Sequence, residues 1–84
     1  MTYQVFIEEA VVDFIASTRG RKRKALRTFV HELSSDPFSQ GDFTEIDDTG
    51  RQTYTKLIDD VAVSYYPDHA VKEIKVFQIG FADG

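Results

Sequence analysis

The first residues of the chain alternate between apolar and polar side chains. In "TYQVFIE", Tyr3, Val5 and Ile7 occupy every second position, and Phe6 adds an apolar group on the opposite side. A period of two indicates a β-strand, because successive side chains of a strand point to opposite faces of a sheet. The first predicted element is therefore a strand over residues 3–8.

The spacing of apolar residues changes to that of a helix after Glu9. Val11, Phe14 and Ile15 fall on one side of a helix with 3.6 residues per turn. Gly20 follows as a typical end signal, because glycine often occupies the left-handed position after a helix. A short first helix is therefore predicted between Glu9 and Gly20.

A second helix is predicted directly after the first. Its apolar stripe consists of Leu26, Phe29, Val30 and Leu33. The helix is expected to end near Ser34 or Ser35, because Pro37 disfavours helical backbone at Asp36. Two helices with so short a connection should form a helical hairpin.

Beyond the loop "DPFSQGD", the chain changes to strands. Four segments are rich in Val, Ile, Thr, Tyr and Phe, namely "FTEID", "RQTYTKLI", "VAVSYY" and "VKEIKVFQIGF". The connections "DTG", "DD" and "PDH" have turn composition, so consecutive strands should pair antiparallel as a meander. The predicted order is β-α-α-β-β-β-β, an α+β fold whose helical hairpin covers one face of the sheet.

Length and composition restrict the class of protein. Eighty-four residues suffice for one domain with a thin core, which we assign to residues 1–84. The absence of Cys excludes disulfides and sulfur-ligated zinc, and we expect no metal and no cofactor. No stretch approaches the roughly 18 apolar residues of a membrane span, and no signal-peptide pattern is present. We therefore expect a cytosolic protein with no membrane partner.

Charge is distributed unevenly along the chain. Residues 1–27 contain six basic and three acidic side chains, whereas residues 28–84 contain four basic and eleven acidic ones. All six basic residues of the first part lie in "RGRKRKALR", residues 19–27. A nucleic-acid-binding domain is usually basic as a whole, so any contact of this acidic chain with RNA or DNA should be local.

The basic residues of the second helix form a flank beside its apolar stripe. On a helical wheel this flank contains Arg23, Lys24, Arg27 and His31, which we call the basic ridge. Together with Arg21 these are the candidate residues for binding a protein partner or RNA. A solvated helix surface is the simpler interpretation, since Lys and Arg are good helix formers. Against it, few acidic residues between Asp13 and Glu32 compensate the charge, so an attachment surface for an acidic protein segment or for phosphate is equally favoured.

Two pairs of neighbouring carboxylates resemble metal or acid–base sites. Asp47 with Asp48, and Asp59 with Asp60, each lie in a predicted turn. Asp is common in turns because its side chain bonds to nearby backbone groups. We therefore interpret both pairs as turn residues.

Three segments of the chain, taken in order, match a known pattern. They are the opening segment "YQVFIEEAVVDF", the helix ending "FVHELSSDPF", and the strand pair "YTKLIDDVAVSYY" followed by "IKVFQIGF". In order and spacing, over essentially the whole chain, they resemble the RelE/ParE toxin superfamily of bacterial toxin–antitoxin modules. The resemblance implies a helical hairpin packed on an antiparallel sheet and a cognate antitoxin as protein partner. It also implies messenger RNA cleavage on the ribosome in the RelE branch, or inhibition of gyrase in the ParE branch, and a homo-oligomer is possible.

Several residues that the resemblance implies for RNA cleavage are missing. The expected tyrosine–arginine pair before a Val-x-Tyr corresponds to Val61 and Ala62. The arginine expected after the glycine of the last strand corresponds to Ala82, and Asp83 follows. The chain therefore lacks two cations where a phosphate would bind, and it has no C-terminal tyrosine.

Two functional hypotheses remain. In the first, the protein acts by binding an antitoxin-like chain or a gyrase-type target, through the basic ridge and a sheet face rich in Asp and Glu. In the second, it is a metal-independent, ribosome-dependent endonuclease in which Arg51, Lys56 and the basic ridge neutralise phosphate. Arg51 and Lys56 are then the named catalytic candidates, and a Tyr or His that the sequence does not single out transfers the proton. We favour the first hypothesis, because a sheet face rich in Asp and Glu would repel the negatively charged RNA. Cleavage instead requires positive charge that stabilises the transition state at the phosphate.

Overall fold

The computed structural model describes residues 2–82, and its elements follow the predicted order. Asp83, which the sequence places near the missing cations, lies outside the described residues. A 3₁₀ turn, Leu33–Ser35, continues the second helix to its predicted end. The elements are β1 (Gln4–Ile7), α1 (Glu9–Ser17), α2 (Gly20–Glu32), β2 (Phe43–Ile46), β3 (Gln52–Ile58), β4 (Val61–Asp68) and β5 (Glu73–Phe81).

The five strands form one mixed sheet in the order β1-β5-β4-β3-β2. Strands β2 to β5 form the predicted antiparallel meander. Strand β1 instead pairs parallel with β5, with Gln4 opposite Glu73 and Ile7 opposite Val76. The long connection that a parallel pair requires consists of the helical hairpin followed by β2, β3 and β4. Strands β1 and β2 are therefore the two edges of the sheet.

The connection between the helices differs from the prediction at Gly20. Helix α1 ends at Ser17, and the backbone N–H and hydroxyl of Thr18 donate to the carbonyl oxygen of Ile15. Gly20, with a φ of +59°, is the first residue of α2 rather than the end of α1. The glycine therefore allows the sharp reversal into the second helix.

The core lies between the helical hairpin and one face of the sheet. Tyr65 is buried in it, and its hydroxyl donates hydrogen bonds of 3.1 Å to the carbonyl and hydroxyl oxygens of Ser39. Burial raises the pKa of Tyr65 above its usual value. The buried apolar side chains are Val11, Ile15, Leu26, Val30, Leu33, Val61, Val63, Tyr65, Ile74 and Val76.

No helix within residues 2–82 is long and apolar enough to cross a membrane. In the same part of the chain, no group of three or more His, Asp or Glu side chains is placed to hold a metal ion.

Candidate functional site

The basic ridge borders an apolar groove between β1 and the helical hairpin. The groove has a volume of about 630 Å³. Its apolar lining comes from β1, α1 and α2 and consists of Val5, Ile7, Val12, Ile15, Ala16 and Val30. Its rim contains Arg23, Arg27, His31 and Ser34. Three of the four ridge residues therefore stand directly beside exposed apolar surface.

A second, shallower groove lies on the other side of the basic ridge. It is lined by Gly20, Arg23, Lys24, Arg27, Thr28, His31 and Glu32, all on α2. Arg23, Arg27 and His31 border both grooves, so the ridge separates a polar surface from an apolar one. Arg21 lies exposed in the first turn of α2 and lines neither groove. The structure thus brings together the ridge residues but leaves Arg21 apart from them.

Arg23 has a structural role that the sequence pattern did not predict. Its Nε donates to the carbonyl oxygen of Thr18 and its Nη2 to that of Ala16, both at 2.8 Å. The last carbonyls of a helix lack intrahelical partners and carry partial negative charge, so a cation at this point is favourable. Arg23 therefore holds the end of α1 against α2 and is less available to a partner than Arg27.

Lys22, although part of the same basic segment, lies away from the ridge. Its Nζ is 2.7 Å from Oδ1 of Asp60 and 5.5 Å from the centre of the Phe81 ring. This contact, above all its hydrogen bond, lowers the pKa of Asp60 below the ordinary aspartate value. Lys22 thus links α2 to the turn between β3 and β4.

Replacing Lys22 with methionine is expected to raise the pKa of Asp60 toward the ordinary value of 3.8. In the native protein, a lowered carboxyl pKa stabilises the fold above the ordinary pKa, and this stabilisation is lost as the pH falls through the lowered pKa. The variant should therefore lose less stability on acidification. An NMR titration of the Asp60 carboxyl carbon measures the change. Lys24→Met, which removes an equal charge from the other flank, should leave Asp60 unaffected; a matching shift there would contradict the assignment.

The two catalytic candidates, Arg51 and Lys56, lie on opposite faces of the sheet. Arg51 lies with its guanidinium carbon 4.3 Å from the centre of the Tyr66 ring. Lys56 is opposite Val63, whose side chain is buried in the core, and its Nζ is 3.7 Å from Oδ2 of Asp42. The structure therefore does not bring Arg51 and Lys56 together around one phosphate.

The sheet face opposite the helices is not rich in Asp and Glu, so that prediction is wrong. Strand register places Glu45, Asp68 and Glu73 on this face, together with Lys75, whose Nζ is 3.3 Å from Glu73. Aromatic and small polar side chains fill much of the rest, including Phe6, Thr55, Ser64, Tyr66, Phe77 and Gln78. Many of the aspartates lie in turns instead, because Asp bonds to turn backbone there.

The turn interpretation of Asp47 is confirmed. Its Oδ1 accepts hydrogen bonds from the backbone N–H groups of Thr49 and Arg51, at 2.9 Å each, and from the Thr49 hydroxyl at 2.7 Å. The Thr49 hydroxyl contributes most to a lowered pKa of Asp47. In the next turn Asp59 takes a φ of +55°, a left-handed conformation that Asp tolerates better than most residues.

Two positions implied for RNA-cleaving residues are apolar in their surroundings as well as in their side chains. Val61 is buried in the core, and Ala62 lies on the open face between Leu57 and Gly80. No neighbouring cation on these paired positions replaces the missing arginine.

The apolar lining of the groove was missed at the sequence level. Val5 and Ile7 read as ordinary strand residues, although Ile7 is 37% exposed. Val12, which is 48% exposed, lies outside the helical stripe of Val11 and Ile15. An apolar residue off the stripe was the one local signal of this surface.

No family model and no curated protein sequence matches this chain. Its fold is similar to that of the archaeal RelE–RelB complex from Pyrococcus horikoshii OT3, with 21% identity, a TM-score of 0.81, and 98% of this chain and 97% of that chain covered. It is also similar to the toxin–antitoxin complex RelBE2 from Mycobacterium tuberculosis, with 15% identity, a TM-score of 0.74, and 96% and 99% covered. A mutant of the E. coli toxin RelE in the free state shows 15% identity, a TM-score of 0.72, and 99% and 86% covered. The chain therefore has the RelE fold, which confirms the resemblance at the level of structure.

Proposed function

We propose that this protein is the toxin-like component of a toxin–antitoxin pair and acts by binding a protein partner, in the first place an antitoxin-like chain. The observation that carries the proposal is the placement of the basic ridge along the rim of the apolar groove. An apolar surface bordered by charge of one sign is typical of a protein-binding site, where burial supplies affinity and charge supplies orientation.

The position of the cations on α2 supports binding over mere solubility. The first turn of α2 contains no acidic residue, although negative charge is favoured there by the helix dipole. Arg21 lies in this first turn and therefore at an unfavourable end of the helix, at a small cost in stability. A surface that served solubility alone could avoid that cost by using carboxylates.

Two of the similar structures support a protein partner, since they are toxin–antitoxin complexes. The endonuclease alternative needs cations that converge on a phosphate. Arg51 and Lys56 point away from each other, and Ala62 supplies no charge, so partner binding is the better supported function.

The proposal is tested by co-expressing the chain with the product of the neighbouring reading frame and measuring the affinity by calorimetry. The double variant Lys24→Glu/Arg27→Glu is expected to raise Kd by about a hundredfold, because two ridge cations become repulsive. Arg23 is left unchanged in this variant, since its hydrogen bonds hold the helical hairpin together.

Lys72→Glu provides a control that reverses a single charge in the exposed turn before β5, away from the basic ridge, and it should leave the affinity within about threefold. Thermal unfolding checks that both variants remain folded. A chain that stays alone and monomeric beside the neighbouring product would refute the proposed function.

A further inference from the structure

The polar groups of the apolar groove all lie on one side of it. Strand β1 and helix α1 contribute only aliphatic side chains to the lining, namely Val5, Ile7, Val12, Ile15 and Ala16. The polar side chains of the rim come from α2 and the 3₁₀ turn that follows it. An occupant that fits this arrangement is apolar over most of its surface and polar at one place.

The size of the groove is that of a small-molecule site. Its volume of about 630 Å³ falls within the roughly 300–1,000 Å³ that is typical of such sites. Along α2 the rim runs from Arg23 to His31, about 12 Å at 1.5 Å per residue. Its floor reaches the core, because Ile15 and Val30 are buried, whereas Val12 stays exposed. A single hydrocarbon chain of medium length would therefore fit the groove and cover Val12.

Two of the four rim side chains already have partners. Arg23 donates two hydrogen bonds to backbone carbonyl oxygens at the end of α1. The hydroxyl of Ser34 donates to the carbonyl oxygen of His31 at 3.0 Å. Among residues 2–82, neither Arg27 nor the His31 side chain takes part in an ion pair. Arg27 and His31 are therefore the rim groups that can hold a ligand.

These two side chains match a carboxylate. Arg27 and His31 are four positions apart on α2, so they are neighbours on one side of the helix and can reach the same small anion. A guanidinium forms two parallel hydrogen bonds with a carboxylate, and an imidazole N–H can donate a third. The groove thus offers a site for one carboxylate head beside a surface for one apolar chain.

We propose that the apolar groove binds the anion of a medium-chain fatty acid, its carboxylate held by Arg27 and His31 and its chain lying against Val12, Ile15 and Val30. The bound fatty acid then excludes the protein partner, because both occupy the same groove. The exclusion rests on the proposed function, whereas the fatty-acid site depends on the groove alone.

The test of the site uses decanoate, which stays monomeric at millimolar concentration, and NMR of the full chain. The methyl signals of Val12, Ile15 and Val30 are expected to shift and to saturate with a Kd below about 1 mM. Octanoate, which is shorter by two methylenes, should bind about tenfold more weakly, because each buried methylene contributes roughly fourfold.

The head group is tested separately from the chain. Decyltrimethylammonium has a similar chain and a positive head, and it should bind at least about tenfold more weakly than decanoate. Arg27→Gln should weaken decanoate binding about tenfold. Lys24→Gln removes an equal charge from the same helix but borders only the polar groove, so it should leave the Kd within about twofold. Both residues are exposed, and the comparison of ligands needs no variant.

The inference is overturned if decanoate does not bind at millimolar concentration, if decyltrimethylammonium binds equally well, or if Lys24→Gln weakens binding as much as Arg27→Gln. Methyl shifts confined to residues outside the groove would also overturn it. Cosedimentation with phosphatidylglycerol vesicles, without binding of free decanoate, would assign the groove to a membrane surface and refute the fatty-acid site.

The exclusion is tested by calorimetry with the neighbouring product. Decanoate at ten times its own Kd is expected to raise the apparent Kd of that product about tenfold, by simple competition. An unchanged Kd in the presence of bound decanoate would refute the exclusion. Binding of the product without any binding of decanoate would refute the fatty-acid site and leave the proposed function standing. Binding of decanoate in the groove, with no binding of the product, would refute the antitoxin assignment and leave the fatty-acid site standing.

Discussion

Leu26→Ala is expected to lower the free energy of unfolding by about 3 kcal/mol, within the range of 2–5 measured for such substitutions. Leu26 has no exposed surface and lies in the centre of α2 among the buried residues of the core. Alanine would leave a cavity there, and a chain of 84 residues has a thin core with little stability to spare. Urea unfolding followed by circular dichroism measures the loss.

Thr28→Ala is the matched control on the same helix, because Thr28 is exposed and borders only the polar groove. It should change the free energy of unfolding by no more than about 0.5 kcal/mol. Equal losses in the two variants would show that helix propensity rather than core packing dominates at these positions, against the structure.

Gly41→Ala is expected to lower the free energy of unfolding by at least about 2 kcal/mol. Gly41 has a φ of +62°, and a Cβ there would lie 2.6 Å from the backbone oxygen of Thr55. The same oxygen accepts the N–H of Asp42 at 2.8 Å, just before β2. An alanine would therefore strain its own backbone and displace the pairing of β2 with β3, which chemical denaturation measures.

Gly50→Ala distinguishes the cost of the left-handed backbone conformation from the cost of a steric clash. Gly50 has a φ of +84°, yet a Cβ there meets no atom within 4 Å. Its loss should be limited to the conformational cost of about 1–2 kcal/mol. If Gly50→Ala proves as costly as Gly41→Ala, the close approach to Thr55 does not control stability.

The order and type of the elements could be predicted because both depend on local spacing. The alternation in "TYQVFIE" and the stripe through Leu26 and Val30 are visible within a few residues. The place of β1 in the sheet was not predictable in this way. Its parallel pairing with β5 joins two distant segments, and no turn between them fixes the register.

The site could be predicted only where it lies on one element. The basic ridge follows from the periodicity of α2 alone. The groove beside it depends on how β1, α1 and α2 pack, and the role of Arg23 depends on where α1 ends. Both features depend on tertiary packing and cannot be predicted from any single segment of the sequence.

The prediction of an acidic sheet face was wrong because it rested on a count of charges. Such a count does not show which acidic residues lie on the face of the sheet and which lie in turns. The separation of Arg51 from Lys56, in contrast, was available from the sequence. Five positions along a strand is an odd interval, which places two side chains on opposite faces. The number of positions between the two residues therefore predicts their separation, whereas their charge does not.

The parallel pair of β1 and β5 has a consequence for synthesis of the chain. Gln4 and Glu73, which face each other in that pair, are 69 residues apart in sequence. The first strand made on the ribosome therefore cannot pair until the last strand has been synthesised, and contacts between such distant segments slow folding. A nascent chain that has not yet released its final strand has an incomplete sheet, so we expect it to acquire its binding surface only once translation of that strand is finished.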